Sequence, residues 1–515
     1  MKKIKILSLL MVLPLLASCG ETDDPEFVPE VPIEDFTPTG LKESYVNKNP
    51  GNPNREGDIV TFDILEDSDY HGAIAESDKE VGIAKYASYV QSIRDTNPGG
   101  TVLISGGDMW QGTADSNLTR GQLMTYSMNV MGYDSMALGN HEFDWTETFI
   151  KNNKDRAMFP FLAANLYDTR TNQVADFVKE YEVIERGDYK IGIIGTIGDS
   201  VKSAILASSV EHFEFKKEAQ IIGNLADKLR EEENCDIVIW SSHKDLTEVK
   251  SDLAVAGIEK FDAVFSGHTH SDLVDEVNGL PIVETAAYGR GLAHVKLEFN
   301  VTTKEVRCAS KEVHTPLVQA GSLAPNTDIN ALIAQYNAKY IAPVKSRRLG
   351  NFIDDFSTSD LCNVAVAAMY KRTTAKFDTE LRYIAAVHNN NGGVRKAISK
   401  GTVTYGTIYE TFPFDNEICY VPVKGRKLIS LLTTPNNLGY YHEAGLKSED
   451  IDRNTLYYVL GTDFLLGDML ATYVDSSTEV IYTGLYVRDL VAETIKLDKN
   501  VKKADYSGSN FGIIK

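Results

Sequence analysis

The chain has 515 residues, 43% of them hydrophobic and 24% charged, ordinary proportions for a soluble globular protein of two to four domains. No Gly-X-Y period, heptad array or long low-complexity tract is present, which excludes fibrous and mostly disordered classes. Lys and Arg number 52 against 73 Asp and Glu, a net charge of −21, so a nucleic acid polymer, gripped through its phosphates by a basic face, is not an expected partner. Small phosphates still bind where cations, including metal ions, are placed locally.

Residues 1–19 read as a signal peptide. Lys2, Lys3 and Lys5 form a basic head, and the apolar run 6–16 is too short to span a bilayer. Leu16-Ala17-Ser18-Cys19 resembles a bacterial lipobox, which implies that Cys19 is lipidated and becomes the new N-terminus. The alternative is an ordinary cleaved secretory signal. No other segment reaches about 18 apolar residues, so the expected state is a cell-envelope protein held at a membrane through its N-terminal lipid only. Residues 20–57 read as an acidic, Pro-rich tether that stays extended and solvated, with Pro25, Pro29, Pro32, Pro38, Pro50 and Pro53 stiffening it. The acidic run after Cys19 fits either a plain linker or a surface-export signal.

From residue 58 short apolar runs alternate with helical patterns. Strands are expected at 59–65, 101–105, 136–138, 191–194, 237–241 and 263–266, and helices at 81–94, 121–131 and 220–233, which predicts a layered α/β domain over 58–312. The strands run into Asp69-Tyr70-His71-Gly72, Gly106-Gly107-Asp108, Gly139-Asn140-His141-Glu142-Phe143-Asp144, Ser242-His243 and Gly267-His268-Thr269-His270. Ligands in open α/β sheets gather beyond the carboxyl ends of the strands. One buried histidine is unremarkable, but five of the chain's ten at such ends, with Asp69, Asp108 and Asn140, point to a metal site. Mixed imidazole and carboxylate ligation suits Zn, Mn or Fe, not Ca. Four further cysteines, Cys235, Cys308, Cys362 and Cys419, form no short-spaced pattern; buried free thiols are the default and one disulfide is permitted.

These motifs, in this order, strongly resemble the calcineurin-like metallophosphoesterases, and Gly-Asn-His-Glu-Phe-Asp resembles their 5′-nucleotidase family. The resemblance implies a four-layer α/β domain with two divalent metal ions. One would be held by Asp69, His71, Asp108 and His270, the other by Asp108, Asn140, His243 and His268, with Asp108 as the bridge. Some members carry Gln where this chain has His270. Two metals ~3.5–4 Å apart neutralise phosphate oxygens and activate water for in-line attack. His141 and Asp144 would be the catalytic dyad, His141 stabilising the reacting phosphoryl group and protonating the leaving oxygen. Asp144 also fits a helix N-terminal cap.

A helix at 325–342, entered through Asn326-Thr327-Asp328, is expected within a linker at 313–344. The remainder, 345–515, resembles the C-terminal α/β substrate-binding domain of the same family. Asn390, Gly392, Gly393 and Arg395 match its phosphate- and ribose-side motif, and Phe414 its first base-stacking ring. The second ring region departs from the family: Asp463-Phe464-Leu465-Leu466-Gly467-Asp468 is two residues shorter, with Phe464 and Asp468 as the matching ring and ribose contact. Residues 357–364 carry no Arg, so fewer cations surround the phosphate. Domain rotation, as the family implies, would hinge at 325–342. The expected activity is hydrolysis of nucleotide phosphate esters, nucleoside 5′-monophosphates first. UDP-sugars, cyclic nucleotides and longer phosphate chains stay within the class. A broad phosphomonoesterase and a non-hydrolysing nucleotide-binding surface lipoprotein are the alternatives; the dyad argues against the last. Oligomeric state is not legible.

Overall fold

A computed structural model describes residues 36–41, 51–320, 322–376, 383–389, 392–434, 437–465 and 480–514. The signal region with Cys19, together with Asn390 and Asp468, lies outside the described residues.

The apolar runs form two sheets. In the first, Ile59–Asp67, Thr101–Ser105, Ser135–Ala137 and Phe161–Leu162 are parallel neighbours. The antiparallel ribbon Leu292–Asn300 and Val306–His314 extends it beyond Ile59–Asp67. In the second, Tyr189–Ile197, Ile237–His243, Ala263–Ser266 and Leu280–Glu284 are parallel, flanked by the antiparallel edges Tyr181–Arg186 and Leu273–Val277. A strand covered on both faces reads as an unbroken apolar run, and all seven residues of Ile237–His243 are buried. The sheets pack face to face through Phe62, Ile64, Val102 and Ile104 against Ile191, Ile193, Ile237 and Ile239. Helices Ile83–Arg94 and Gln122–Met131 cover the first sheet, and Ala219–Glu231 and Leu246–Ala256 the second. This is the expected four-layer α/β architecture.

The C-terminal part holds a five-stranded sheet ordered Leu438–His442, Tyr383–Asn389, Leu456–Thr462, Glu417–Lys424 and Ile481–Tyr486. Helix Thr358–Lys376 buries Leu361, Val364 and Ala368 in a core with Ala386, Leu460 and Val491. Tyr405 and Tyr409 of this part join the core that contains Leu123, Tyr336 and Tyr340, so apolar packing is continuous between the two parts.

Two expectations are corrected. The connecting helix spans Thr327–Tyr336, capped by Asn326 Oδ1 accepting from the amides of Asp328 and Ile329. It then widens into a π turn, Asn337–Ile341, before Ala342–Lys345. Pro343 has no amide hydrogen to offer the carbonyl four residues back, and the ladder loosens just before it. The tether is also not solvated throughout. Phe36 stacks edge-on against Tyr336 and Tyr340, at 4.8 and 5.3 Å, and the Thr39 amide donates to Gln335 Oε1. Arg55–Glu56 pairs with Ile59–Asp67, and the Asn54 amide donates to Asn97 Oδ1. An aromatic ring beside an exposed apolar helix face gains more by burial than the surrounding acidic charges lose.

Candidate active site

The sheets converge so that parallel strands of both present their carboxyl ends to one edge. Asp69 and His71 follow Ile59–Asp67, Asp108 follows Thr101–Ser105, and Asn140 follows Ser135–Ala137. From the second sheet come His243, at the end of its own strand, and His268 and His270, beyond Ala263–Ser266. Five of these seven residues hold φ between 47° and 75°, a conformation costly to side chains other than Gly and concentrated at functional sites.

Two triads result. Asp69, His71 and His270 offer ligand atoms within 4.8 Å of one another, as do Asp108, His243 and His268. His71, Asp108 and His141 form an overlapping group, which places Asp108 between the triads. The Nε2 atoms of His71 and His270 lie 3.0 Å apart. His243 Nε2 lies 3.1 Å from Asp108 Oδ2 and 3.2 Å from Asn140 Oδ1. His71 Nδ1 faces the Gln111 carbonyl at 2.9 Å and His243 Nδ1 faces the Gly106 carbonyl at 2.8 Å. A carbonyl only accepts, so each Nδ1 carries the proton and Nε2 is left for a ligand role.

The donor set fits divalent cations. Asp69 Oδ1 is fully buried, with His270 Nε2 at 3.3 Å and the Nε2 atoms of His71 and His243 at 3.9 Å, yet has no hydrogen-bond partner among the described residues. A buried carboxylate oxygen ringed by imidazoles is the environment a metal ion satisfies. Burial would push the Asp69 carboxyl up, but His243, His270 and His71 outweigh it and hold it at about 2. Asp108 is likewise kept well below the usual carboxylate range against burial by His243 and His141. Conversely the two carboxylates, working against burial, push His243 up to about 10. Burial pushes His71 down to about 3, so its ring is neutral.

His141 sits beside this cluster. Its amide donates to Asp108 Oδ1 at 2.7 Å, and its Nδ1 donates to Asp144 Oδ2 at 2.8 Å. Burial favours the neutral ring, but Asp144 and Asp108 push it up to about 9, so it carries a proton at neutral pH. The Asp144 carboxylate orients the imidazole; the segment it follows is the short 3₁₀ turn Asn140–Phe143, not the start of a helix it caps.

A cleft of about 330 Å³ joins this cluster to the C-terminal part. Asp108, Asn140, His141, His268 and His270 line one side; Gly392, Gly393, Arg395, Phe414 and Phe464 line the other. Phe414 lies 5.8 Å from the His141 ring, and the Arg395 guanidinium lies 5.1 Å above the Phe414 ring. All four cysteines within the described residues are free thiols.

Residues 64–272 match the family profile described as calcineurin-like phosphoesterase, and residues 333–450 match that described as 5′-nucleotidase, C-terminal domain. The chain belongs to the 5′-nucleotidase family of calcineurin-like phosphoesterases. It is a hydrolase that works with divalent metal ions. It is 26% identical over 424 residues to the protein UshA of Salmonella pullorum, covering 72% of this chain and 75% of that one. It is 24% identical over 467 residues to a 5′-nucleotidase of Vibrio cholerae, covering 80% and 82%. The crystal structure of a 5′-nucleotidase precursor from Thermus thermophilus shares the fold, with a TM-score of 0.70 at 18% identity over 86% of this chain and 97% of that one.

For this 5′-nucleotidase relative, several positioning residues escape sequence reasoning. Glu142 is fully buried, and its carboxylate accepts from the amides of Asp108, Met109 and Gly139 at 2.8–2.9 Å, which locks two ligand loops together. Its place in Gly-Asn-His-Glu was the available signal. The Phe414 loop is held from both sides. Asp415 pairs with Arg488, and its other oxygen lies 2.6 Å from Arg120 Nη1 of the phosphoesterase domain. Arg488 also donates to the carbonyls of Phe412, Pro413 and Phe414, and Asn117 Nδ2 donates to the Pro413 carbonyl at 2.9 Å. Burial raises the Asp415 carboxyl, but Arg488 and Arg120 hold it at about 2. Trp145 and Leu206, which belong to no motif, also line the cleft, as does Asp463 beside Phe464.

Gly139 supplies a test of this packing. A Cβ there would lie 2.2 Å from Asp108 Oδ1, so Gly139→Ala should displace Asp108 and lower bound metal with little change in the circular dichroism spectrum. Full metal content by elemental analysis would show that the loop adapts.

Proposed function

We propose that the chain removes phosphate from nucleotides outside the cytoplasm, acting first on nucleoside 5′-monophosphates to release nucleoside and phosphate. The observation that carries this reading is the single cleft in which His141 and the ligand cluster face Arg395, Phe414 and Phe464. A phosphate at the cluster and a base beside the rings would both be engaged by one nucleotide.

Asp69, His71, Asp108 and His270 would hold one divalent ion, and Asp108, Asn140, His243 and His268 a second, with Zn, Mn or Fe suited to the mixed donors. Ions there supply charge neutralisation for the phosphate oxygens and activation of the attacking water. The protein's own groups do the rest. His141, with Nδ1 committed to Asp144, has Nε2 left to stabilise the phosphoryl oxygens and to pass its proton to the leaving ribose oxygen. Arg395 adds a cation for the phosphate side. Phe414 and Phe464 offer faces for a base and tolerate different bases, since each has a π-face. Gly393 cannot be larger, because a Cβ there would lie 2.3 Å from the Asn389 carbonyl. Asn390 and Asp468 complete the substrate set by resemblance. The π turn at Asn337–Ile341 is where we place the hinge between the domains. The basic head, short apolar run and Cys19 support a lipid anchor in the cell envelope. No helix among the described residues is long and apolar enough to cross a membrane.

Phosphate release from AMP, GMP, UMP, ADP, UDP-glucose and 2′,3′-cyclic AMP, with and without Mn²⁺ or Zn²⁺, tests the assignment; no metal-dependent release from any of them would refute it. His141→Ala should lower kcat by ~10²–10⁴ with metal content retained; an unchanged kcat removes His141 from the chemistry. Phe414→Ala should raise KM for AMP, a loss of ~1–3 kcal/mol of stacking, and leave p-nitrophenyl phosphate turnover nearly intact. Equal losses on both substrates would make the ring structural. Cys19→Ala should move the protein from the membrane to the soluble fraction, and persistence in the membrane would contradict the anchor.

A further inference from the structure

A second group of ligand-type side chains lies on the ribbon Leu292–Asn300 and Val306–His314. The register sets His294 opposite Glu312 and Leu292 opposite His314, so His294, Glu312 and His314 share one face. His294 Nδ1 and His314 Nε2 are 3.0 Å apart, and the two rings stack at 5.2 Å. Glu312 Oε1 lies 3.9 Å from His314 Nε2. One ligand atom from each residue falls within 4.8 Å of the others.

The surroundings prepare these atoms. His294 Nε2 lies 2.8 Å from Asp63 Oδ1, and the other Asp63 oxygen accepts from Asn97 Nδ2 at 2.8 Å. Burial raises the Asp63 carboxyl, yet its bonds to His294 and Asn97 and the nearby Lys296 keep it below its usual range. A carboxylate accepts, so His294 donates from Nε2 and turns the lone pair of Nδ1 toward His314. This is the carboxylate–histidine arrangement that stands behind metal-bound imidazoles. Burial and His294 hold His314 below its usual range, and Tyr89 packs edge-on against its ring. The Glu312 side chain is 58% exposed, so the group opens to solvent on one side.

We propose that His294, Glu312 and His314 form a separate site for a divalent transition-metal ion of the zinc type, with a solvent-facing coordination position. Two imidazoles and a carboxylate make a zinc-type donor set. Four residue steps along the strand, about 13 Å, separate Asp63 from Asp67, beyond which the proposed catalytic ligands begin. An ion there ties the edge strand Val306–His314 to Leu292–Asn300 just before the connecting segment, and so stabilises the fold by mass action.

The test is zinc content of the full-length protein, equilibrated with buffered Zn²⁺, for wild type, Glu312→Gln and His314→Ala. The wild type should hold one zinc per chain more than either variant, while phosphate release stays at the wild-type rate. Cu²⁺ loaded at the site should show electron paramagnetic resonance coupling to two imidazole nitrogens, reduced to one in His314→Ala. Glu312 is exposed, so Glu312→Gln carries the comparison even if His314→Ala folds poorly. Equal zinc content in wild type and Glu312→Gln overturns the proposal.

Discussion

Two carboxylates buried at the meeting edge of two sheets constrain the rest of this molecule. Asp69 and Asp108 are almost wholly removed from water, and the isolated burial of such charges is strongly unfavourable. The cost is acceptable only where positive charge is gathered around them, and the chain does this with imidazoles at the ends of strands from both sheets. Stability and metal affinity therefore draw on the same electrostatic demand. A protein that satisfied these carboxylates entirely with its own cations would have less need of an ion.

Holding the carboxylates in place requires local conformations that an unconstrained chain avoids. Asp69, His71, Asp108, His268 and His270 all occupy the left-handed region, and the surrounding packing keeps them there. Glu142 ties the Asp108 loop to the Gly139–Asn140 loop through three backbone amides. Buried amides without acceptors would be costly, so this carboxylate is as much part of the scaffold as the strands are. Gly139 approaches Asp108 more closely than any side chain would allow.

The cleft depends on a second electrostatic knot. Asp415 lies between Arg488 of its own domain and Arg120 of the other, and Arg488 also gathers the carbonyls that precede and include Phe414. Arg120 itself stacks near Trp145 and Phe149, at 5.4 and 5.5 Å. The aromatic wall of the cleft is thus positioned by charges whose partners lie on both sides of the domain junction. The π turn at Asn337–Ile341 sits in the one continuous connection between them.

What could be learned from the chain alone was local. Apolar runs followed by Gly, Asp and His are legible because strand periodicity and turn chemistry act over a few residues, and the seven metal-ligand candidates and His141 lie together at one edge of the two sheets. The side chains that depend on distant partners were not legible. Phe36 meets Tyr336 three hundred residues away, Arg120 meets Asp415, and His294 meets both Asp63 and His314. Glu142 was visible as a motif letter without its role, because its acceptor function exists only once another loop brings its amides close. Residue types and spacing sufficed for the layered α/β class and for a set of Asp, Asn and His candidates whose donor atoms suit divalent metals. Long-range packing settled what no motif carried: the pairing of Arg120 with Asp415, the seating of Phe36 on Tyr336, and so where the domains are pinned together. Those outcomes are set by burial and by pairing across long sequence separations, and neither is encoded in a short stretch of chain.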